Sequence, residues 1–285
     1  MGAIKQVMGD GMGAQELEAM TTNALMLRDT FDFDVSESVR AVNSLMDQFG
    51  ITSEEAYNLI AQGAQSGLNQ NGDLLDVLNE YSVQFSHMGY SAKDMFNMLN
   101  NGAKAGTWSI DKLGDAAKEF NIRMSDGSAK DAVEALGFSW EAVSEAWSEG
   151  GESASEVFNM LLNEMEGMED TTEGYGIGVG LLGTMFEDMG YDAMLALTKT
   201  QGEIGNTTNA LAEINNVKYD DLGSMFEGLK RNMETLLLPL GNALIPIIMQ
   251  IVQLIQDNMP LIESMLANLT PVIMQLFETL LPPLL

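Results

Sequence analysis

The sequence predicts an all-α fold: an array of short helices and αα-hairpins joined by glycine turns, followed by an apolar, proline-punctuated helical segment. Three observations predict it. One helical unit occurs twice at a fixed spacing, capping residues and glycines bracket the apolar stretches, and no run typical of a buried strand occurs. We divide the chain into four regions: a helical lead-in (1–33), a tandem helical-hairpin repeat (34–130), an acidic helical region (131–234) and an apolar proline-repeat segment (235–285).

The first two helices are predicted from the spacing of their apolar residues and from the helix-breaking residues that follow each of them. Residues 14–28 place apolar side chains on one helix face, and residues 31–34 form a short break. Ser36 is predicted to cap a second helix that stops at Gly50. Serine accepts from the free N–H groups of a first turn, and glycine adopts a left-handed conformation at little cost.

The repeated unit comprises residues 52–67 and 91–106, which align at an offset of 39 residues without a gap. Thr52 and Ser91 stand at the start of the two copies, each with an acidic residue at capping-box spacing. Apolar residues at i, i+3 and i+4 form one helix face, which we expect to be buried: Ala56, Leu59, Ile60, Met95, Met98 and Leu99. Glycines mark the helix ends: Gly63, Gly67, Gly102 and Gly106.

A second helix completes each unit, because the same offset continues beyond the glycines. It pairs Leu74 with Leu113, Asp76 with Asp115, Glu80 with Glu119, Tyr81 with Phe120 and Val83 with Ile122. A short capped helix, a glycine turn and a second helix together form an αα-hairpin.

The acidic region is predicted to continue the helical pattern. Residues 125–128 have the composition of a turn, and Ser139 caps a helix that ends at Gly150. Residues 153–161 are similar to residues 91–99, with irregular spacing, and so predict a helix of the same type. Across the whole array we expect turns near four glycines: Gly50, Gly89, Gly106 and Gly137.

No catalytic, cofactor-binding or metal-binding residue is predicted. The chain has no cysteine, and its one histidine, His87, has no second histidine for a metal site, so we expect it at a surface turn. Residues 178–183 fit GxGxxG but follow an acidic stretch instead of a strand, and residues 69–73 are too short and wrongly spaced for a calcium loop of the EF-hand type. The many carboxylates follow helix surfaces and N-caps, so an acid–base pair in one cleft is unsupported.

Charge excludes one class of partner. The net charge is −29, and residues 131–198 contain no lysine or arginine. Such a surface repels phosphate, so we expect no direct binding of nucleic acid.

The character of the chain changes in residues 235–285. Residues 235–256 carry no charge, and prolines then recur every 11 residues, at positions 260, 271 and 282. A helix that is apolar on all sides must be buried in protein or in lipid. Two alternatives stay open: self-association or burial in a larger assembly, and membrane contact, since residues 235–256 are long enough to cross a bilayer.

Several blocks of sequence resemble the tail tape measure proteins of long-tailed bacteriophages and prophages, in the order of that family. The resemblance covers roughly residues 15–285. The blocks are residues 46–52, 58–65, 79–83, 94–99, 118–123, 183–188, 219–222, and 229–231 with 237–241.

The resemblance implies a structural virion protein without enzymatic activity. It would lie in the lumen of the virion tail, determine tail length during assembly in the host cytoplasm, and leave before the DNA. It implies as partners the tail tube protein, tail assembly chaperones and tail tip or baseplate proteins. We also expect a homo-oligomer and host membrane contact through residues 235–285. The alternative is a membrane-active, pore-forming protein that uses this same segment.

Overall fold

A computed structural model of the chain describes residues 14–107, 109–168, 172–213 and 253. The chain divides into two compact units, Met1–Asn232 and Met233–Leu285. Residues 210–213 are helical, and twelve further helices lie wholly within the described part of the first unit. They are α1 (Ala14–Phe31), α2 (Val35–Phe49), α3 (Ser53–Gln65), α4 (Leu74–His87), α5 (Ala92–Lys104), α6 (Ile110–Asp126), α7 (Lys130–Ala135), α8 (Trp140–Glu149), α9 (Gly151–Glu164), α10 (Thr172–Leu182), α11 (Met185–Met189) and α12 (Tyr191–Ala196). The described residues contain no strand, so the all-α prediction is confirmed.

The repeated unit appears as two matching helices, α3 and α5, of 13 residues each. Both begin with a complete capping box. The Thr52 hydroxyl accepts from the Glu55 N–H at 3.2 Å, and the Thr52 N–H donates to the Glu55 carboxylate at 2.8 Å. The corresponding distances for Ser91 and Asp94 are 3.1 and 3.0 Å. The N-termini of both copies are therefore satisfied in the same way.

Two of the glycines predicted to end these helices lie inside them instead. Gly63 is within α3 and Gly102 is within α5. Each makes room for a side chain from another helix: a Cβ at Gly63 would lie 2.9 Å from the Phe96 ring, and one at Gly102 would lie 2.6 Å from Leu113. The left-handed residues come after the helix ends, at Gly67 and Gly106.

The predicted cap of α2 was also wrong by two residues. Asp34 is the N-cap, and its carboxylate accepts from the N–H groups of Ser36 and Glu37 at 2.8 and 2.9 Å. Ser36 therefore lies inside the first turn. Turns at the predicted glycines are confirmed, each with positive φ: Gly50, Gly89, Gly106 and Gly137.

Helices α2, α4 and α6 contact one another in that order, and α3 contacts α5. The successive hairpins therefore stack, as the fixed repeat period predicts. The predicted core face is buried, with Leu59 7% exposed and Ile60, Met98 and Leu99 fully enclosed. Val83 on α4 and Ile122 on α6 are equivalent in the repeat, and they are 45% and 46% exposed. The two repeat units therefore match in their solvent-exposed faces as well as in their buried faces.

The acidic region packs on the second copy of the repeat, residues 91–126, through aromatic side chains. The Phe120 ring on α6 lies 5.2 Å from Trp147 on α8 and 4.8 Å from Phe158 on α9, centroid to centroid. Both pairs have the edge-to-face geometry that aromatic rings prefer. Helices α10 and α11 also contact α6, and α12 contacts α5. The chain after α12 is thereby brought beside the repeat.

Candidate functional site

The repeat places side-chain amides at equivalent positions of its two units. Asn58 and Gln62 lie one turn apart on α3, and Asn97 and Asn101 lie one turn apart on α5, offset by 39 residues from them. We call these four residues the amide row. Asn58 and Gln62 are each 7% exposed and Asn97 is fully buried, so their polar atoms need partners inside the protein.

Those partners are supplied by a segment far away in sequence. Residues 199–211, which we call the strap, follow α12 as an irregular stretch and enter a helical turn at 210. The Asn97 amide nitrogen donates to the Ile204 carbonyl at 3.1 Å, and the Ile204 N–H donates to the Asn97 amide oxygen at 3.2 Å. One asparagine thus satisfies both backbone groups of one strap residue.

Asn58 repeats part of this arrangement in the first unit. Its amide oxygen accepts from the Leu211 N–H at 3.1 Å, while its nitrogen donates one turn back to the Glu54 carbonyl at 3.0 Å. Asn97 is held by the same one-turn bond, to Lys93 at 3.0 Å. Each asparagine is therefore oriented by its own helix as well as by the strap.

The other two amides extend the contact in both directions. Gln62 donates to the Thr207 carbonyl at 2.8 Å and accepts from the Gly205 N–H at 2.8 Å. Asn101 donates to the carbonyls of Lys199 and Gln201 at 2.7 and 3.1 Å. All four amides therefore bind backbone atoms of the strap.

Two features of the strap make this contact possible. The side chains of Ile204 and Leu211, seven residues apart, are 1% and 4% exposed and anchor it in the core. Gly202 lies against the amide row so closely that a Cβ would be 2.1 Å from the Asn97 oxygen. A side chain at residue 202 would force the strap away from Asn97.

Beside the strap lies a cleft of about 520 Å³. The first turns of α3 and α5 form one wall, and Gly205, Thr207 and Thr208 form another. Hydrogen bonds from the Thr52 backbone and hydroxyl hold the pKa of the Glu55 carboxyl below its usual range. Glu55 is held in its capping box and the four side chains of the amide row are neutral. These residues are therefore suited to binding the polar groups of a peptide backbone, and not to proton transfer.

The residues weighed for chemistry in the sequence do not form a site. His87 is exposed, as predicted, with Nδ1 3.0 Å from the Asn121 amide oxygen and its ring 5.9 Å from Trp147. The GxGxxG stretch begins inside α10, where Gly178 makes room for the Phe186 ring. Within the described ranges, no group of three acidic or histidine side chains could hold a metal ion.

The amide row was missed in the sequence although a signal for it exists. Asn58 and Asn97, like Gln62 and Asn101, are amides at equivalent positions of the repeat. A polar residue that recurs on the same helix face in two copies points to a common partner. The sequence does not reveal that partner, because Ile204 of the strap lies 107 residues beyond Asn97.

A sequence model of the family described as phage-related minor tail protein matches residues 1–186. The chain belongs to this family. It is also 35% identical over 201 residues to a protein named "Probable tape measure protein" from Streptomyces phage phiC31. The match covers 69% of this chain and 27% of that relative, so the chain spans about a quarter of the relative's length. No solved structure matches the chain.

These matches confirm the resemblance to phage tail tape measure proteins and support a structural role for the chain in a phage tail. Among its described helices, none has the length and apolar composition needed to cross a bilayer. The apolar segment, residues 235–285, lies outside the described residues apart from Gln253, so the expectations for it stay predictions.

Proposed function

We propose that this chain is part of a tail tape measure protein that lies in the tail lumen, sets tail length during assembly and leaves before the genome. The observation that carries the proposal is the 35% identity over 201 residues to a protein named as a probable tape measure protein. The helical fold and the neutral, backbone-binding amide row agree with a structural role.

The proposed partners follow from this location: the tail tube protein, the assembly chaperones in the host cytoplasm, the tail tip or baseplate proteins, and further copies of the chain. The net charge of −29 fits a lumen that DNA must later cross, because an acidic surface does not retain a polyanion. Nucleic acid is therefore not among the proposed ligands.

The lengths of the described helices indicate whether this part of the chain could itself measure the length of the tail. A continuous helix rises about 1.5 Å per residue, so a ruler requires a long uninterrupted helix. The helices described here have 5 to 18 residues and end at turns. We propose that the repeat is a folded module within a longer tape, and that the four sequence regions are its successive parts.

Removal of the gene from a phage that carries it should abolish length control. Electron microscopy of the lysate is expected to show no tails or tubes of variable length, because nothing stops tube polymerisation at a fixed point. The gene supplied in trans should restore a single length. Tails of normal, uniform length in the deletion strain would exclude the tape measure role.

The apolar segment gives a second prediction. The full chain of 285 residues should self-associate in light scattering or float with liposomes, and residues 1–234 alone should do neither. An exposed surface that is apolar on all sides far exceeds what a monomer tolerates in water. If both proteins are monomeric and neither floats, residues 235–285 are ordinary core and the membrane alternative fails with them.

A further inference from the structure

Each repeat unit is entered through a two-residue corner that joins it to the helix before it. Gly50 and Ile51 form the first corner, and Gly89 and Tyr90, offset from them by 39 residues, form the second corner. Both glycines lie in the left-handed region, with φ of 66° and 81°. The backbone therefore turns in a similar way at both corners, so the surroundings of one can be compared with those of the other.

The second corner is covered by helix α9. Gly89 lies so close to the start of α9 that a Cβ at this position would clash with the Gly151 carbonyl. The Tyr90 hydroxyl donates to the Asn159 amide oxygen at 3.0 Å, and its ring packs edge to face on Phe158, 6.1 Å away between centroids. Only 6% of Tyr90 is exposed. The second corner is therefore a docking site for a helix, and the chain fills it itself.

The first corner has no such cover among the described residues. A Cβ at Gly50 would meet no heavy atom of the described chain within 4 Å, beyond its chain neighbours. Three apolar side chains at this corner are half-buried: Met46, Phe49 and Ile51. Their equivalents at the second corner are buried: Phe85, Met88 and Tyr90. The first corner therefore exposes apolar surface at positions that are enclosed in the second.

The cleft of about 520 Å³ beside the strap opens at the first corner, where Ile51 forms part of its wall. Leu59 and Ala92 add apolar surface to the cleft and are 7% and 2% exposed. A volume of this size is within the range of ligand-binding clefts and can receive apolar side chains of a docked helix. Lys93 also lines the cleft, and its ammonium group donates to the Asn206 amide oxygen of the strap at 2.8 Å.

The two corners differ in charge. Asp47, Glu54 and Glu55 are exposed at the first corner, and both glutamates line the cleft. The equivalent residues at the second corner are Ser86, Lys93 and Asp94. The second corner accepts α9, whose charged residues are all acidic. Because Asp47 and Glu54 stand in place of a neutral residue and a lysine, the first corner favours a helix that carries basic residues.

We propose that the first corner binds an amphipathic helix of another protein. The apolar face of this helix packs on the three half-buried side chains of the corner, as α9 packs on the second corner. Lysine or arginine residues beside that face pair with Asp47 and Glu54. Recognition of an amphipathic helix by an apolar groove is a common mode of peptide binding. A second copy of the chain suits the site less well, because a net charge of −29 makes two copies repel each other.

The experiment is fluorescence anisotropy of labelled peptides titrated with the full chain. The probe is the helix that the second corner accepts, Gly151–Glu164. One peptide has the natural sequence, and the other carries the changes Glu152→Lys, Glu156→Lys and Glu164→Lys. The basic peptide should bind about tenfold more tightly than the natural peptide. A scrambled peptide of the same basic composition, which measures nonspecific attraction to an acidic chain, should bind much more weakly.

Variants of the corner test where the peptide binds. Ile51→Gln keeps the net charge and removes apolar surface, so it should weaken binding of the basic peptide about tenfold. Val83→Gln, at an exposed apolar position on α4, should leave binding unchanged. Ile51→Tyr introduces the residue of the second corner that bonds to α9, and it should tighten binding of both peptides. Glu54→Lys should reduce the preference for the basic peptide, whereas Asp76→Lys, the same charge change at an exposed position on α4, should not.

Three results would overturn the proposal. One is a basic peptide that binds no more tightly than its scrambled form. Another is binding that neither Ile51→Gln nor Ile51→Tyr changes. The third is self-association of the full chain that is lost in Ile51→Gln by light scattering, which would show that a second copy covers the corner. These measurements do not depend on the tape measure role, which deletion of the gene tests separately.

Discussion

Truncating Leu99 to alanine should lower the free energy of unfolding by about 2–5 kcal/mol. Leu99 lies on α5 with no exposed surface, within one continuous core formed by both repeat units and the acidic region. The loss combines the transfer energy of the removed atoms with the cost of the cavity they leave. Leu59→Ala, the equivalent change in α3, should fall at the lower end of this range, because Leu59 is 7% exposed and lines the cleft beside the strap.

Urea and thermal unfolding of the full chain measure this difference. A loss of this size lowers the midpoint of a domain of this length by roughly 2–4 °C per kcal/mol. Val83→Ala is the matched control, since Val83 is an aliphatic residue of the same repeat with 45% of its surface exposed. Its effect should stay within about 0.5 kcal/mol. Unchanged midpoints in both leucine variants would show that this face is not core.

The hairpin array was predictable because its signals are local. Thr52 and Ser91 each cap a helix through hydrogen bonds to a residue in the first turn of that same helix. Gly50 ends a helix because its own backbone is left-handed. Because the two units align at an offset of 39 residues, the helix and turn positions predicted for one unit also apply to the other. Where two capping residues stand close together, as Asp34 and Ser36 do, composition alone does not decide which of them caps.

The features that the sequence did not predict correctly depend on contacts between residues that are far apart in the chain. Gly63 and Gly102 resemble helix stops in sequence, but their role depends on Phe96 and Leu113, which fold against them from other helices. The strap has the composition of a loop, and only the folded structure shows that it lies across both repeat units. The candidate site could therefore be anticipated as a pair of recurring amides but not as a bound segment.

The strap gives the module a property that an array of stacked hairpins lacks. In a repeat array each unit contacts only its neighbours, so the stability of the array is the sum of the stabilities of the units and of the interfaces between adjacent units. Here one segment forms hydrogen bonds with α3 through Asn58 and Gln62 and with α5 through Asn97. Release of the strap would therefore loosen both units together, and the strength of its attachment sets how cooperatively the module opens.

Asn97 should be the residue on which this attachment depends most. Replacing it with alanine leaves the Ile204 N–H and carbonyl without their partner in a buried position, which costs about 1–3 kcal/mol in unfolding free energy. Hydrogen exchange should then accelerate at Ile204 and Gly205 more than in the core of α5. Asn101→Ala is the control, since its bonds to the strap are exposed and its effect should be a fraction of this.

The isosteric change Asn97→Asp separates hydrogen bonding from packing. The carboxylate keeps the shape of the amide and still accepts from the Ile204 N–H, but it turns an oxygen toward the Ile204 carbonyl where the amide nitrogen donated. Two acceptors in a buried contact repel each other, so Asn97→Asp should release the strap at least as readily as alanine. If neither variant changes exchange at Ile204, the strap is held by its apolar anchors, Ile204 and Leu211, and the amide row only satisfies buried backbone groups.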